Sequence, residues 1–482
     1  MKHIGRYTVL GLLGRGGMGA VYKAAMPRTG RVVALKLLRP AEPLAATADM
    51  AALRQGFYRE ARLMASIRHP GVAQVLDVDE DATGCPFFVM EYYCNNLGAL
   101  LGEGPRVEEP CRRLGVEQSL SVARQLACAL ARLHHEGILH RDVKPFNLML
   151  AERPCDLGVA GDEVKLIDFG LSRLRGEREA GRPRGAVVGS PYYAAPEQEA
   201  DPAHADERAD VFSAGVTLFR CLTGRLPQEG APASALRSGL DARFDAFFAR
   251  CCHDDPAKRP ASARDLFAEL DALAGHWTRL RESACALPPD MAAPGSGMPG
   301  ANTPGSNALA SSSLGAAVSG QTVRSAPVRQ GLAGARERFG LDALWRPVVS
   351  IPERFRDLGD GLVRDAVTGL AWERGGSPYA VNLAGARAYV DKLNAEGFAR
   401  RTGWRLPTVH ELATLLLPEP DLRQLCLPGV FEPGQRRLWS ADAKSFTAAW
   451  YVDVEHGFVW WQDATCEFFV RCVTSEDNQD AR

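Results

Sequence analysis

The chain has 482 residues, enough for two or three domains, and its 46% apolar content is ordinary for a globular protein. The 57 Lys and Arg nearly cancel the 58 Asp and Glu, which argues against a nucleic-acid-binding protein with a surplus of positive charge. No apolar run is as long as a membrane span, and the first residues, MKHIGRY, lack the apolar core of a secretion signal. The twelve cysteines form no C-x-x-C pair. We therefore expect a cytoplasmic protein with reduced thiols.

Two changes in composition divide the chain. Residues 287–334 hold only three charged side chains among Pro, Gly, Ala, Ser and Asn, so they cannot bury enough apolar surface to offset the entropy lost on ordering. We predict a flexible linker there, with a long surface loop as the alternative. Only Trp277 precedes this stretch, and the other seven tryptophans follow it. The predicted organisation is a first domain at 1–275, a linker at 276–340, a second domain at 341–476 and a tail at 477–482.

The stretch LGRGGMGAVYKA carries glycines 14, 16 and 19 in the spacing G-x-G-x-x-G. A dinucleotide-binding loop with that spacing leads directly into a helix. Here the glycines are followed by A-V-Y-K-A, a turn at 28–30 and R-V-V-A-L-K-L-L, which is a strand–turn–strand pattern. The pattern therefore predicts a glycine-rich flap between two antiparallel strands, of the kind that covers phosphates. A glycine-rich hairpin without a ligand is the alternative.

Further motifs follow in order along the chain. Lys36 ends V-A-L-K, and Glu60 lies on the core-facing side of a helical pattern, QGFYREARLMASIRHP. A buried glutamate needs a cation, and Lys36 is the obvious partner. LHRDVKPFNLML places Asn147 five residues after Asp142, and VKLIDFG places Asp168 directly after an apolar strand. YYAAPE follows further on. Each of these short strings could occur by chance in a turn or a helix cap, but all of them in this order are not a coincidence.

Residues from Tyr7 to about Leu273 resemble the eukaryotic-like Ser/Thr protein kinases of bacteria. The resemblance implies an α+β bilobal protein-kinase fold, with a β-rich N-lobe and a helical C-lobe. It also implies transfer of the ATP γ-phosphate to Ser and Thr hydroxyls of protein substrates, with ATP and Mg²⁺ as cofactors. Lys144, in H-R-D-x-K-P-x-N, is typical of Ser/Thr rather than Tyr specificity. Activation by dimerisation is common in this family, so a dimer is one option.

The same resemblance assigns roles to single residues. Asp142 accepts or orients the proton of the substrate hydroxyl, and Lys144 and Asn147 complete the catalytic set. Asn147 and Asp168 are the implied Mg²⁺ ligands, because hard cations prefer oxygen. Lys36 holds the α- and β-phosphates, and Glu60 keeps its ammonium group aimed.

A further group is implied to bind the nucleotide. Its glycines let the backbone approach the phosphates where a Cβ would collide, two small apolar side chains enclose adenine, and a hinge pairs with the ring. These residues are Gly14, Gly16 and Gly19, then Val21 and Ala34, then Met90, Glu91 and Tyr93, together with Lys36 and Glu60. Three more residues are implied as structural braces without a chemical role: Glu197 with Arg259, and Asp210.

The predicted activation segment departs from the family pattern. Residues 171–194 contain no threonine, and alanine and valines stand where relatives carry phosphorylatable threonines. We therefore hypothesise that activation does not depend on phosphorylation of this segment, and that Glu177 or Glu179 pairs with Arg141 in place of a phosphate. A solvated charged loop is the alternative. A phosphate on Ser172 that activity requires would contradict the hypothesis.

From about Phe355 the chain resembles the DUF1566 family, also seen as the C-terminal domain of a bacterial collagen-like surface protein. The strings D-G-x-V-x-D-x-x-T-G-L-x-W and G-W-R-L-P-T carry this resemblance, which implies a separate α+β, C-type-lectin-like domain. Locally, Asp365 with Thr368 marks a hairpin turn, and Thr408 is an N-cap with Glu411 three residues on.

This second domain is expected to recognise a ligand or a protein partner. Exposed aromatic side chains bind sugars or peptides, so a ligand site is one interpretation of the loops near Trp439, Trp450, Trp460 or Trp461. The alternative, that most of these tryptophans lie in the core, is favoured.

Two other functions are weighed against an active kinase with a tethered recognition domain. One is a pseudokinase scaffold, and the other is a binding protein in which the C-terminal module carries the main role and the kinase regulates it. The sequence retains Lys36, Glu60, Asp142, Asn147 and Asp168. Because a pseudokinase need not keep these side chains, their presence favours catalysis.

Overall fold

The computed structural model describes residues 2–16, 19–40, 49–104, 106–151, 163–168, 173–174, 192–200, 204–227, 231–285, 323–349, 354–420 and 425–475. They belong to two compact units, one ending at Trp277 and one beginning at Thr278. In this described part of the chain, no helix has both the length and the apolar character needed to cross a membrane.

The first unit begins with an antiparallel sheet of six strands in the order β1-β2-β3-β4-β6-β5. The strands are β1 His3–Ile4, β2 Tyr7–Arg15, β3 Gly19–Ala25, β4 Val32–Leu38, β5 Val75–Glu80 and β6 Pro86–Glu91. One face buries Tyr7, Val33, Leu35 and Phe87 in a common core. Helix α1, Met50–Ser66, packs on the other face, where Phe57 contacts Phe88 with ring centroids 5.1 Å apart. The β3–β4 pairing confirms the predicted strand–turn–strand, and the β2–β3 pairing confirms that the glycines lie between two antiparallel strands.

The rest of the first unit is mainly helical. Its helices are α2 Leu97–Leu101, α3 Val116–His135, α4 Pro196–Ala200, α5 Glu207–Thr223, α6 Ala233–Leu236, α7 Ala242–Cys251 and α8 Ala263–Cys285. Short strands lie between them: β7 Asn95–Asn96, β8 Ile138–Leu139, β9 Leu148–Ala151, β10 Glu163–Leu166 and β11 Arg173–Leu174. Helix α5 is buried along nearly its whole length. It ends at Gly224, where φ is +71° and an added Cβ would lie 2.4 Å from the Cys111 carbonyl oxygen. A β-rich part thus precedes a helical part, as predicted.

The second unit contains two antiparallel sheets, with strand orders β12-β13-β14-β18 and β15-β16-β17. The strands are β12 Phe355–Gly359, β13 Leu362–Asp365, β14 Leu370–Glu373, β15 Arg437–Ala443, β16 Ala448–Asp453, β17 Phe458–Asp463 and β18 Val473–Ser475. The helices are α9 Ala335–Phe339, α10 Leu383–Glu396 and α11 Val409–Ala413. Trp372 and Trp450 lie in one hydrophobic core with Leu412 and Val452. The unit is therefore β-rich.

Both local motifs predicted for the second unit are present. Asp365 accepts hydrogen bonds from the backbone N–H of Val367 at 3.0 Å and from the Thr368 hydroxyl at 2.6 Å, which closes the turn between β13 and β14. Thr408 and Glu411 form a reciprocal capping box at the start of α11. Each motif depends on side chains only a few residues apart, which is why sequence spacing identified it.

Ordered structure extends into the predicted linker from both ends. Helix α8 continues to Cys285, beyond the predicted boundary at 275. On the other side, Val328 packs against the core of the second unit, and Ala335 and Phe339 are part of it. Apolar side chains in an otherwise polar stretch therefore join the fold wherever they can be buried. Residues 286–322 and the predicted tail at 477–482 lie outside the described part of the chain.

Eight cysteines of the described residues carry free thiols. Burial raises the pKa of the Cys111 thiol to about 11 and that of Cys252 to about 12. These two thiols are therefore protonated at neutral pH and act as small core side chains. The prediction of reduced cysteines holds for these eight residues.

Candidate active site

The register of the first sheet places several predicted site residues on one face. Val21 lies opposite Lys36, and Ala34 lies opposite Met90. Residues directly opposite each other, and residues two apart on one strand, point to the same side of a sheet. Val21, Ala34, Lys36 and Met90 therefore share the face opposite the Tyr7 core.

Lys36 contacts two carboxylates that come from distant parts of the chain. Its Nζ lies 2.7 Å from Glu60 Oε1 on α1 and 3.0 Å from Asp168 Oδ1. Burial lowers the pKa of Lys36, but Asp168 and Glu60 outweigh this and raise it above its ordinary value. The ammonium group therefore stays charged. Asp168 has a φ of +67°, and its side chain is 43% exposed, so the carboxylate remains accessible beyond this contact.

The predicted catalytic loop brings Asp142, Lys144 and Asn147 together. Lys144 Nζ lies 2.7 Å from Asp142 Oδ2. Asn147 donates through Nδ2 to the Asp142 carbonyl oxygen at 2.8 Å and to Oδ2 at 3.0 Å. A single 3₁₀ turn, Pro145–Asn147, shortens the chain between them so that these side chains can meet. The Asp142 carboxylate is thus fixed by two side chains of its own loop.

Asp210, near the start of the buried helix α5, anchors the backbone of this loop. Its carboxylate accepts the backbone N–H groups of His140 at 2.9 Å and Arg141 at 2.8 Å, and it bonds His134 Nε2 at 2.9 Å. Burial raises the pKa of Asp210, but the bonds and charges of His134 and its neighbours outweigh it and lower the pKa overall. Arg141 has a φ of +67°, and these bonds hold the strained backbone in place. This is the brace that the family resemblance implied.

A second brace joins Glu197 and Arg259. Arg259 Nη1 and Nη2 donate to the two Glu197 oxygens at 2.6 Å and 2.9 Å, and the Arg259 side chain is fully buried. Gln198, which sequence reasoning missed, donates through Nε2 to the Arg141 carbonyl oxygen at 3.0 Å and accepts the Ala195 N–H at 3.1 Å. It therefore ties the A-P-E segment to the catalytic loop. Its position directly after A-P-E was the only available signal.

The chain's own packing requires glycine at one of the three flap positions, and the predicted close approach to phosphates stays a prediction. At Gly19 an added Cβ would lie 2.3 Å from the Leu37 carbonyl oxygen, so the chain itself requires glycine there. At Gly14 and Gly16 an added Cβ would meet nothing within 4 Å. The Gly16 N–H donates to the Gly19 carbonyl oxygen at 2.8 Å, which closes the turn.

Comparison with family models identifies both units. The protein kinase domain model matches residues 7–269, which is more than half of the 482 residues. The chain belongs to the protein kinase family. A second model, the Lcl C-terminal domain, matches residues 361–474. We call the unit up to Trp277 the kinase unit and the unit from Thr278 the Lcl unit.

Similar proteins include bacterial kinases. The serine/threonine-protein kinase pkn2 of Myxococcus xanthus is 35% identical over 316 residues, which cover 61% of this chain and 35% of that protein. The serine/threonine-protein kinase PknK of Mycobacterium tuberculosis is 37% identical over 279 residues, covering 54% of this chain and 23% of that protein. The solved kinase domain of Mycobacterium tuberculosis PknI is 28% identical, with a TM-score of 0.42 and coverage of 56% of this chain and 97% of that one. The chain thus spans about a third or less of the two curated relatives.

At the predicted hinge of the kinase unit, Met90 and Glu91 end strand β6 and Tyr93 follows. The Tyr93 hydroxyl donates to Glu91 Oε2 at 2.8 Å, and Arg31 pairs with Glu91 Oε1 at 3.0 Å. Burial and Glu91 raise the pKa of Tyr93. The Glu91 and Tyr93 side chains are thus bonded to each other, in keeping with a hinge that would use its backbone.

Arg141 is described, but the segment residues that the activation hypothesis names lie outside the described part of the kinase unit. Ser172, Glu177 and Glu179 are among them. The end of the segment is described. There the Tyr192 hydroxyl bonds Glu108, and the Tyr193 hydroxyl donates to Glu103 Oε1 at 2.8 Å.

Of the four tryptophans considered for a ligand site, Trp439 and Trp450 are core residues, so the favoured alternative holds for two of them. Those almost fully buried are Trp372, Trp404, Trp439 and Trp450. Trp439 donates through Nε1 to the Val381 carbonyl oxygen at 2.9 Å, and Trp450 donates to that of Gln330 at 2.8 Å. The partly exposed ones are Trp345, Trp460 and Trp461. Of the four tryptophans considered for a ligand site, only Trp460 and Trp461 keep exposed surface.

Proposed function

We propose that this chain transfers the γ-phosphate of ATP to Ser and Thr hydroxyl groups of proteins. One observation carries the proposal: residues far apart in sequence meet at one site. Ile167 donates its N–H to the Asn147 carbonyl oxygen at 3.0 Å, and the next residue, Asp168, contacts Lys36 at 3.0 Å. Residues 167–168 therefore link the Lys36 ion pairs to the Asp142 loop. The similarity to kinases named as serine/threonine kinases supports the choice of hydroxyl.

Lys36 is the group proposed to bind the α- and β-phosphates. Its ammonium stays charged because two carboxylates raise its pKa, and its side chain is still 15% exposed. Glu60, which is 7% exposed, fixes its direction from helix α1. Positive charge held in place before the reaction needs no reorganisation when charge builds up on phosphate oxygens. The flap at Gly14, Gly16 and Gly19 would lie over the same phosphates.

The donor set at this site fits Mg²⁺ bound together with ATP. Among the described residues no group of three or more His, Cys, Asp or Glu could hold a metal ion. Mg²⁺ typically takes one or two protein oxygens and completes its shell with phosphate and water. Asp168 offers a partly exposed carboxylate, and Asn147 offers its amide oxygen because Nδ2 is used on Asp142. Bound Mg²⁺ would neutralise charge on the phosphate oxygens.

Asp142 is the group proposed to accept or orient the proton of the attacking hydroxyl. A general base must be held in one geometry within hydrogen-bond reach of that proton. Lys144 and Asn147 both bond the same oxygen, Oδ2, at 2.7 Å and 3.0 Å, which fixes the orientation of the carboxylate. Lys144 would also offset charge on the transferred phosphate.

Phosphate incorporation tests this function. The full chain with Mg²⁺ and labelled ATP should phosphorylate Ser and Thr of a generic basic protein. Asp142→Asn keeps the size of the side chain and removes the base, so incorporation should fall by about 10²–10⁴-fold. An exposed matched control, Asp265→Asn on α8, should leave the rate unchanged. Equal rates in wild type and Asp142→Asn would contradict the proposal, and a wild type with no incorporation would favour a scaffold instead.

We further propose that the Lcl unit binds a ligand or protein partner and directs the kinase unit, and that it is related to C-type-lectin-like folds. Its partly exposed Trp460 and Trp461, with Lys444 Nζ 2.9 Å from the Trp461 ring centroid, support a recognition surface. Truncation after Cys285 removes the whole hydrophobic core of the Lcl unit and ends the chain where helix α8 ends. Substrate choice that is unchanged in this truncation would show that the unit acts independently.

The activation hypothesis remains a proposal about the segment before Tyr192. If activation does not need phosphorylation there, Ser172→Ala should keep the wild-type rate, because the hydroxyl would have no role. Mass spectrometry of active protein should then find unphosphorylated Ser172 in molecules that still turn over. A rate that depends on Ser172 phosphate would refute the hypothesis and leave the kinase function intact.

A further inference from the structure

A groove lies between helices α7 and α8 of the kinase unit, with a volume of about 230 Å³. Phe247 and Leu273 line it and are only 3% and 6% exposed, so they form its floor. Ala246 and Ala272 line it from the two helices and are exposed, and their small side chains leave the groove open. None of the described residues assigned to the active site lines it. An apolar hollow that opens to solvent is typical of a binding site.

Both ends of the groove carry an arginine of α7. Arg243 and Arg250 lie about 10 Å apart along the helix axis. Arg250 Nη2 pairs with Glu269 Oε2 of α8 at 2.6 Å, so the charge at that end is balanced. At the other end, Arg243 Nη1 lies 3.3 Å from His276 Nδ1 of α8. Within the described part of the chain, the Arg243 guanidinium forms no ion pair with a carboxylate.

His276 fixes the position of Arg243. Its Nε2 lies 2.6 Å from Asp241 Oδ2. Burial raises the pKa of Asp241, but the bond from His276 and the backbone N–H groups outweigh this and lower the pKa overall. Because an ionised carboxylate can only accept, Nε2 carries the proton and Nδ1 is left to accept from Arg243. The guanidinium is therefore held at the groove without having its charge neutralised.

A matching ligand is apolar in the middle and negative at the end that meets Arg243. The groove is smaller than the roughly 300–1,000 Å³ of pockets for drug-sized ligands, so it has room for one bulky side chain rather than for a nucleotide. A guanidinium binds a carboxylate through two parallel N–H donors. We propose that this groove binds a short segment of a partner protein in which an Asp or Glu stands next to a bulky apolar residue.

In this arrangement the apolar side chain of the partner packs on Phe247 and Leu273, and its carboxylate pairs with Arg243. A single buried anchor beside one charged contact is a common way of holding a peptide. The inference does not depend on the proposed kinase function. It adds a second binding site on the kinase unit, lined by residues that the phosphoryl transfer does not use.

Fluorescence anisotropy of labelled peptides with the full chain, without ATP, tests the inference. Each peptide carries one Asp or Glu directly before or after one Leu, Ile, Phe, Tyr or Trp in a Gly–Ser background. At least one should bind with a Kd below about 1 mM. Replacing its acidic residue by the amide should weaken binding by about 5- to 20-fold. Replacing its apolar residue by serine should weaken binding by about 10-fold or more.

Two variants at exposed positions locate the binding. Ala246→Leu fills the groove from its rim, so the Kd should rise by about 10-fold or more. Arg243→Gln removes the charge and keeps a donor for His276, so the Kd should rise by about 5- to 20-fold. The matched controls are Ala249→Leu, an exposed alanine of α7 outside the groove, and Arg264→Gln, an exposed arginine of α8 outside it. Neither control should change the Kd, and all four variants should melt as wild type does.

Several results would overturn the inference. They are a wild-type chain that binds no peptide of the set, a Kd that Ala246→Leu leaves unchanged, and equal binding of an acidic peptide and its amide. N-acetyl-leucine is the probe for a small carboxylate, and binding as tight as that of the peptides would rule out a peptide segment as the occupant. A dimer in sedimentation that Ala246→Leu abolishes would assign the groove to a second copy of this chain instead. Because ATP is absent, a failure of phosphate transfer would leave a positive binding result standing.

Discussion

The two units hold buried charge in different ways. In the Lcl unit, Asp365, Asp442 and Asp453 are fully buried. Each accepts backbone N–H groups of a turn or a helix start and also pairs with an arginine. In the kinase unit, Lys36 and Asp168 are 15% and 43% exposed and bond to side chains.

This difference separates charges that hold a fold from charges that serve a site. A carboxylate saturated by backbone N–H groups has little capacity left for a ligand, and losing it loosens a whole turn. A charge held by other side chains can exchange partners when a ligand arrives. Asp210 follows the first pattern although it lies beside the catalytic loop, because it is fully buried and accepts the N–H groups of His140 and Arg141. We therefore assign Asp210 to stability.

The largest expected effect is that of Asp453→Asn on the stability of the Lcl unit. Asp453 accepts the His456 N–H at 2.9 Å and lies 3.3 Å from Arg437 Nε, and both partners are buried. Removing the charge leaves Arg437 without this counter-ion, which costs about 3–5 kcal/mol. Differential scanning calorimetry of the full chain should show one transition moved to lower temperature. Phosphate incorporation should stay at the wild-type rate.

Asp391→Asn, on the exposed face of α10, is the control for that change and should not move the transition. If Asp453→Asn instead left melting unchanged and lowered phosphorylation, the distinction between structural and site charges would fail for the Lcl unit.

The second effect is that of Lys36→Met on catalysis. The methionine keeps most of the buried stem but removes the ammonium contacts to Glu60 and Asp168. Loss of one fixed charge at a phosphoryl-transfer site lowers the rate by about 10²–10³-fold. Initial rates at saturating peptide, and ATP affinity by calorimetry, measure the loss.

Lys258→Met removes an exposed lysine of the same unit and should change neither quantity. A Lys36→Met protein with normal rates but a strongly lowered melting temperature would place Lys36 with the structural charges, against the comparison above.

Sequence reasoning predicted the parts of both units that local patterns determine. The helical period of α1 placed Glu60 on the core side of the helix, and the need of a buried carboxylate for a cation indicated Lys36 as its partner. Lys36 Nζ and Glu60 Oε1 lie 2.7 Å apart. The turn at Asp365 and the cap at Thr408 were likewise readable, because donor and acceptor are a few residues apart. The family resemblance that the motifs carry then implied the bilobal fold.

What could not be predicted depends on contacts between distant elements. Gln198 has no motif, and its importance appears only when the chain folds it against Arg141. The linker boundary was misjudged for the same reason. In the sequence, Phe339 is a single apolar residue after a polar stretch. Only the structure shows that the core of the Lcl unit buries it.

The third effect is a pH dependence of the Lcl unit. His456 is buried against Asp453, with Nδ1 3.0 Å from Oδ1. Burial lowers the pKa of His456, but Asp453 and Glu455 outweigh burial and the opposing charge of Arg437, so the pKa is raised above 6.5. The same contacts lower the pKa of Asp453 to about 2, although burial opposes this.

A raised histidine pKa gives stability that is fully present below the unfolded pKa of about 6.5 and is lost as pH rises through the folded pKa. The Lcl transition should therefore lose stability above pH 6.5, and His456→Gln should flatten that slope. His410 acts in the opposite direction, because burial and Arg324 lower its pKa and its contribution is lost as pH falls. The stability of the Lcl unit is measured by calorimetry from pH 5 to 9 for wild type and for His456→Gln. The difference between the two proteins at each pH gives the contribution of His456. Identical slopes in the two proteins would contradict the assignment.

The smallest expected effect is that of Thr408→Val at the start of α11. The hydroxyl accepts the Glu411 N–H at 3.3 Å and donates to the Arg324 carbonyl oxygen at 2.7 Å, while the Glu411 carboxylate independently accepts the Thr408 N–H at 2.8 Å. Valine keeps the shape and removes only the hydroxyl, so half of the capping box survives and the cost should be about 1 kcal/mol.

Thr414→Val is a control with a smaller cost. The Thr414 hydroxyl, at the end of α11, donates to the Glu411 carbonyl oxygen of the same helix. If Thr408→Val lowered the stability of the Lcl unit as much as Asp453→Asn does, the hydroxyl bond to the Arg324 carbonyl would be a major stabilising contact. Buried carboxylates that accept backbone N–H groups would then not be the main stabilising groups of the Lcl unit.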